Sequence, residues 1–115
     1  TQYEWTNYNC QLWKISKKDI NYIQLENVNS GKMLEIQGAA NNNGAFAVQY
    51  DRSGNYCQDW CLLSTSNGYY KLINRNSNKL LEVQSNLTSN GANIGQWDDT
   101  GYSCQEWKLK REGMK

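Results

Sequence analysis

The chain has 115 residues, a net charge of +1, no His and no Pro, enough for one domain with a single core. So balanced a charge argues against a nucleic-acid partner or an acidic membrane surface. No apolar run approaches the ~20 residues needed to span a bilayer, and without His there is no Ser-His-Asp or Cys-His arrangement for nucleophilic catalysis. Asn makes up about one residue in seven, and with Gly and Ser it favours turns, so the composition predicts short strands joined by tight turns.

In chain order, one word recurs three times: Cys10-Gln11-Leu12-Trp13, Cys57-Gln58-Asp59-Trp60 and Cys104-Gln105-Glu106-Trp107, at an interval of 47 residues. Such self-similarity marks a chain assembled from copies of one unit. The copies divide the single domain into a partial repeat 1–21, then 22–68 and 69–115. Shifting by 47 pairs the second copy with the third without a gap, and 19 of the first 41 paired positions are identical. Residues 1–21 lack the counterpart of Tyr22–Ala47, which is 26 residues. That leaves two alternatives: the missing segment lies upstream, or another chain supplies it through a dimer or strand exchange. Without that segment, apolar surface and strand edges are expected to stay uncovered.

Each complete copy reads as four strands, in the second Tyr22–Leu25, Lys32–Gln37, Ala45–Tyr50 and Gln58–Leu62. Asn43-Gly44 and Asn90-Gly91 are hairpin-turn signals. Gly31 is matched by Asn78, and Gly54 and Gly101 by Asn7. Gly and Asn both enter the left-handed region readily, so each pairing marks a positive-φ turn. Alternation places Gln58 and Trp60 on one face and Cys57 and Asp59 on the other, and Trp13, Trp60 and Trp107, at equivalent places in the three copies, should converge as core. Gln11, Gln58 and Gln105 become inward-leaning amides that require hydrogen bonds. Cys10, Cys57 and Cys104 are held apart by the repeat, and Cys57 and Cys61 lie too far apart along one strand to bridge. Free thiols are expected, and no metal-ligand spacing or cofactor motif is present. The basic cluster Lys108, Lys110, Arg111 and Lys115 reads as a solvated face. Asn86-Leu87-Thr88 matches a glycosylation sequon but carries no functional argument.

Three Gln-x-Trp words at this period, preceded in the complete copies by Lys32-Met33-Leu34-Glu35-Ile36 and Lys79-Leu80-Leu81-Glu82-Val83, resemble the ricin B-type lectin domain. The resemblance implies an all-β fold, a β-trefoil with a threefold internal repeat whose first repeat is incomplete. It also implies non-catalytic carbohydrate binding, as in the modules attached to secreted, here bacterial, polysaccharide-degrading enzymes. By the same resemblance each complete copy offers a shallow sugar site. Its acid is Glu35 or Glu82, its aromatic platform Tyr50 or Trp97 fifteen residues on, and Gln58 or Gln105 stands beside it. A carboxylate accepts hydrogen bonds from adjacent sugar hydroxyls, and a flat ring covers the apolar face of a pyranose. In the first copy Tyr3 remains without an acid. The chain departs from the pattern with Glu in place of Asp, Cys57 and Cys104 before the Gln, and Val48 and Gly95 two before the aromatic. Asp51, Asn55, Asp98 and Tyr102 are the candidates to replace the lost polar fringe. A galactan, xylan or arabinan ligand suits such a site. The alternative reading is a trefoil that docks protein or spaces domains, its sugar sites decayed. An inhibitor trefoil would need an exposed reactive loop, and no long insertion separates the two complete copies.

Overall fold

A computed structural model describes residues 13–65, 68–83, 93–101 and 103–108. They form eight strands and no α-helix: β1 Trp13–Asp19, β2 Tyr22–Asn27, β3 Met33–Ile36, β4 Ala47–Tyr50, β5 Trp60–Ser64, β6 Tyr70–Asn74, β7 Leu80–Val83 and β8 Ile94–Trp97. All pairings are antiparallel, in the order β4-β3-β2-β5-β6-β7-β8, with β1 paired to β2. The two ends of that order meet where Phe46, just before β4, bridges Gly95 in β8.

The repeat in sequence becomes a repeat in register. Met33, Leu34, Glu35 and Ile36 face Tyr50, Gln49, Val48 and Ala47. Leu80, Leu81, Glu82 and Val83 face Trp97, Gln96, Gly95 and Ile94. A one-residue slip would turn every side chain to the other face, so the shared register fixes the same residues inward in both copies. Leu25, Ile36, Trp60, Leu72 and Leu81 form the buried cluster, with Leu34, Ala47, Ile94 and Trp107 packed against it. The Gly31 and Asn78 turns adopt φ of 73° and 62°, as the Gly–Asn exchange requires. Each is folded around an Asn: the Oδ1 of Asn27 accepts from the N–H groups of Asn29 and Ser30, and that of Asn74 from Asn76 and Ser77. These are side-chain mimics of a turn.

Three expectations need correction. The strand expected over Gln58–Leu62 starts later, at Trp60, because Tyr56–Gln58 form a 3-10 turn in which Gln58 and Asp59 donate their N–H groups to Asn55 and Tyr56. Period-2 alternation therefore fails there, and Cys57, Gln58, Asp59 and Trp60 are all buried. Asp59 lies beneath Lys18, Gln24 and Arg75, with oxygen–nitrogen distances of 3.4, 3.0 and 3.2 Å, and Arg75 is stacked between the rings of Tyr22 and Tyr56. Second, Trp13 does not join the core. It is 38% exposed where Trp60 is fully enclosed, since β1 is paired only to β2 and nothing described covers its face. Third, Asn43-Gly44 does not close a simple β3–β4 hairpin: the Gly44 N–H donates to the Gln96 carbonyl, tying the second copy to the third. Cys57, Cys61 and Cys104 are free thiols. Cys10, Gln11, Tyr3, Asn7, Tyr102, the Asn86 sequon, Asn90-Gly91 and Lys110, Arg111 and Lys115 of the basic cluster lie outside the described residues.

Trp60 is held by packing and by its indole N–H, which donates to the Leu34 carbonyl at 3.1 Å. Large-to-small substitution in a core forfeits transfer energy and leaves a cavity, so Trp60→Ala should lose about 3–5 kcal/mol of stability. Trp13→Ala should lose less than about 1 kcal/mol, as surface changes do. Denaturant unfolding of the two variants measures both.

Candidate functional site

Glu35 sits in the middle of β3, its side chain on the face opposite the core cluster, and is only 8% exposed. Its Oε1 accepts from Gln58 Nε2 at 2.9 Å and lies 3.8 Å from the Cys57 thiol. The Gln58 amide is fully used. Its nitrogen also donates to the Asp51 carbonyl at 2.8 Å, and its oxygen accepts from the Ser53 N–H at 3.0 Å. One buried amide thus joins the strand acid to the turn that follows β4.

The third copy repeats this bond for bond. Gln105 Nε2 donates to Glu82 Oε1 at 3.1 Å and to the Asp98 carbonyl at 2.7 Å, and the Thr100 N–H donates to its oxygen at 2.9 Å. Cys104 lies 4.0 Å from Glu82 Oε1. Gln58 and Gln105 have no exposed surface, so their place is behind the carboxylates as positioning groups.

In both acids the second oxygen has no partner among the described residues, yet no buried side-chain oxygen is left unsatisfied. That oxygen therefore reaches solvent. In the second copy Glu35 lines a cleft of about 570 Å³ together with Gly38, Val48, Tyr50, Asn55 and Cys57, among others. Tyr50 and Trp97 are 60% and 41% exposed. Register sets each on the same face as its acid, because Tyr50 faces Met33 and Trp97 faces Leu80. Glu35, Tyr50 and Gln58 are thus assembled in one place, and Glu82, Trp97 and Gln105 in another.

Of the loop residues expected to widen the polar fringe, Asn55 does line the cleft. Asp51 and Asp98 are instead engaged by Lys32 and Lys79, at 2.6 Å each. The Lys79 hydrogen bond, followed by that of Asn43, holds the Asp98 carboxyl below its usual range. Burial and the adjacent acid push the Cys57 and Cys104 thiols up, so both stay neutral S–H groups directed at the carboxylates. Sequence reasoning missed Ser30 and Ser77, whose hydroxyls meet Gln49 Oε1 and Gln96 Oε1 at 2.6 Å. Their identity across the two copies was the available signal.

With that geometry in view, the comparisons are decisive on family. The family model described as ricin-type beta-trefoil lectin domain-like matches residues 9–97 and 56–115. The chain belongs to this family. Its architecture is that of a designed three-fold symmetric protein, ThreeFoil, with 36% identity and a TM-score of 0.91 over 93% of this chain and 76% of that one. It is also similar to an exo-β-1,3-galactanase from Clostridium thermocellum, at 34% identity and a TM-score of 0.87, over 91% of this chain but 23% of the enzyme. A Polyporus squamosus lectin crystallised with a sialylated epitope shares the fold at 19% identity, with a TM-score of 0.70 over 84% of this chain and 34% of the lectin. No curated protein matches the sequence closely enough to count as a relative.

Burial raises the Glu82 carboxyl above its ordinary value of 4.5, against the opposing hydrogen bond from Gln105. The folded state then holds this proton more tightly than the unfolded chain does. The stabilising contribution of Glu82 is fully present below its unfolded pKa and is lost as pH rises through the folded one. Glu82→Gln should flatten the decline in unfolding free energy just above pH 4.5, read from denaturant titrations at a series of pH values.

Proposed function

We propose that the protein is a non-catalytic carbohydrate-binding module that holds a polysaccharide through two shallow sites, Glu35 with Tyr50 and Glu82 with Trp97. The observation that carries this reading is the same in both copies: a buried amide fixes one carboxylate oxygen and leaves the other open beside an exposed ring. A preset acceptor avoids the ordering that a free Glu side chain would undergo on binding. The ring supplies a flat apolar surface for the C–H face of a sugar.

The likeness to part of a galactanase supports a role beside a polysaccharide-degrading enzyme, with galactan the first ligand to test and xylan and arabinan after it. On this reading the module works outside a bacterial cell, attached to or alongside a catalytic domain, and residues 1–115 act as one unit. Each site is open and binds weakly on its own. Two sites on one polymer convert the second contact into an intramolecular one, which multiplies retention.

Ring stacking of this kind contributes about 0.5–1.5 kcal/mol beyond the buried area, and each ~1.4 kcal/mol is tenfold in affinity. Tyr50→Ala or Trp97→Ala should therefore weaken retention on insoluble galactan about tenfold, and the double variant should wash off. Full retention by the double variant would contradict the site assignment. A folded wild-type protein that binds nothing on a broad glycan array would instead favour a protein-docking or spacer module.

A further inference from the structure

The second and third copies differ at one surface although their sequences there agree. On the third copy, the segment 39–45 lies along β8 and its flanks through eight hydrogen bonds. Gln96 Nε2 donates to the carbonyls of Ala40 and Asn42 at 2.9 and 3.0 Å. The Gln96 backbone accepts from the Gly44 N–H at 2.8 Å and donates to the Ala45 carbonyl at 3.0 Å. Asn43 exchanges two bonds with Asp98, at 3.1 and 3.0 Å. Asn76 Nδ2 donates to the Ala39 carbonyl and to Asn41 Oδ1, at 3.0 and 3.1 Å. Gln96 is fully buried as a result.

The counterparts of Asn76, Gln96 and Asp98 in the second copy are Asn29, Gln49 and Asp51, the same three residue types. All three are exposed. Alternation sets Gln49 on the same side of the sheet as Leu34, Ile36 and Ala47, the side that packs on the core, so its exposure marks a place where a cover fits. The group is also preset. Ser30 already holds Gln49 Oε1 at 2.6 Å, as Ser77 holds Gln96 Oε1, and the Gln49 amide nitrogen has no partner among the described residues. The matching registers of β3–β4 and β7–β8 turn the Gln49 backbone N–H and C=O away from β3, where they form a strand edge with no partner among the described residues.

We propose that the edge formed by Asn29, Gln49 and Asp51 docks a second polypeptide segment of the kind that residues 39–46 form on β8. The ligand is an Asn-Asn-Gly-Ala turn that offers two carbonyls to the Gln49 amide, an Asn side chain to Asp51 and a backbone N–H to the Gln49 carbonyl. Strand-edge recognition of this type draws affinity from main-chain bonds and selectivity from side-chain pockets. Glycine is suited to the turn by its φ of 91°, and the turn lies against the Trp97 ring, 3.7 Å from where a Cβ on Gly44 would sit. The docked segment would accordingly lie against Tyr50 and form a wall of the neighbouring cleft.

The probe is a blocked synthetic peptide with the sequence of Gly38–Phe46, titrated into the isotope-labelled protein and followed by amide chemical shifts. The Asn29, Gln49 and Asp51 signals should move saturably, at millimolar peptide because the segment must order on binding. Gln49→Ala, a change at an exposed side chain, should weaken binding about tenfold or more, and a scrambled peptide should leave the signals unmoved. The proposal is overturned if saturating peptide shifts nothing on this edge, or if Gln49→Ala binds as well as wild type. It is equally overturned if only Gln96 and Asp98 respond, because the peptide then merely exchanges with the resident segment. A dimer that forms without peptide and is lost in Gln49→Ala would also overturn it, making a second β4 the occupant.

Discussion

The buried amide of the Gln-x-Trp word is the constraint on which site and fold both depend. Gln58 and Gln105 each make three hydrogen bonds with no exposed surface. Inside a protein such a group must be satisfied completely, because an unmade bond there is expensive. The 3-10 turn that ends in each Gln and the bend after β4 or β8 are shaped to satisfy it. That requirement brings a strand acid, a turn and the end of an aromatic-bearing strand to one point. The adjacent Trp secures the same arrangement from the core side, its indole N–H bonded to the carbonyl of Leu34 or Leu81.

The functional consequence is a division of labour within four residues. The Gln fixes the acid and the Trp anchors the scaffold. The Cys donates a neutral S–H toward the same carboxylate oxygen as the Gln, so the oxygen that faces out is the free one. On the proposed function, a ligand would meet a carboxylate that is already oriented and partly desolvated, beside a ring held by the strand register. The arrangement recurs in both complete copies.

Much of this was legible in the residues. The 47-residue interval predicts the repeat, and Gly31 opposite Asn78 predicts the positive-φ turn. Each depends on local geometry that one residue type can report. The failures share a different cause. Alternation fails through Cys57–Trp60, because the 3-10 turn Tyr56–Gln58 replaces the start of the expected strand. Trp13 holds the same place in the repeat as Trp60 yet stays exposed, because burial depends on what covers a face and not on the residue alone. The roles of Gln49 and Gln96 were invisible because they differ only through the segment that reaches one of them from a distant part of the chain.

The most direct measurement of the central claim is the indole N–H spectrum of the protein during titration with a galactan oligosaccharide. The account predicts that the Trp97 signal moves saturably while the signals of Trp60 and Trp107, whose N–H groups are bonded to Leu34 and Leu81, stay in place. A Trp97 signal that does not move while the protein binds the oligosaccharide, or a uniform shift of all the indoles, would contradict it.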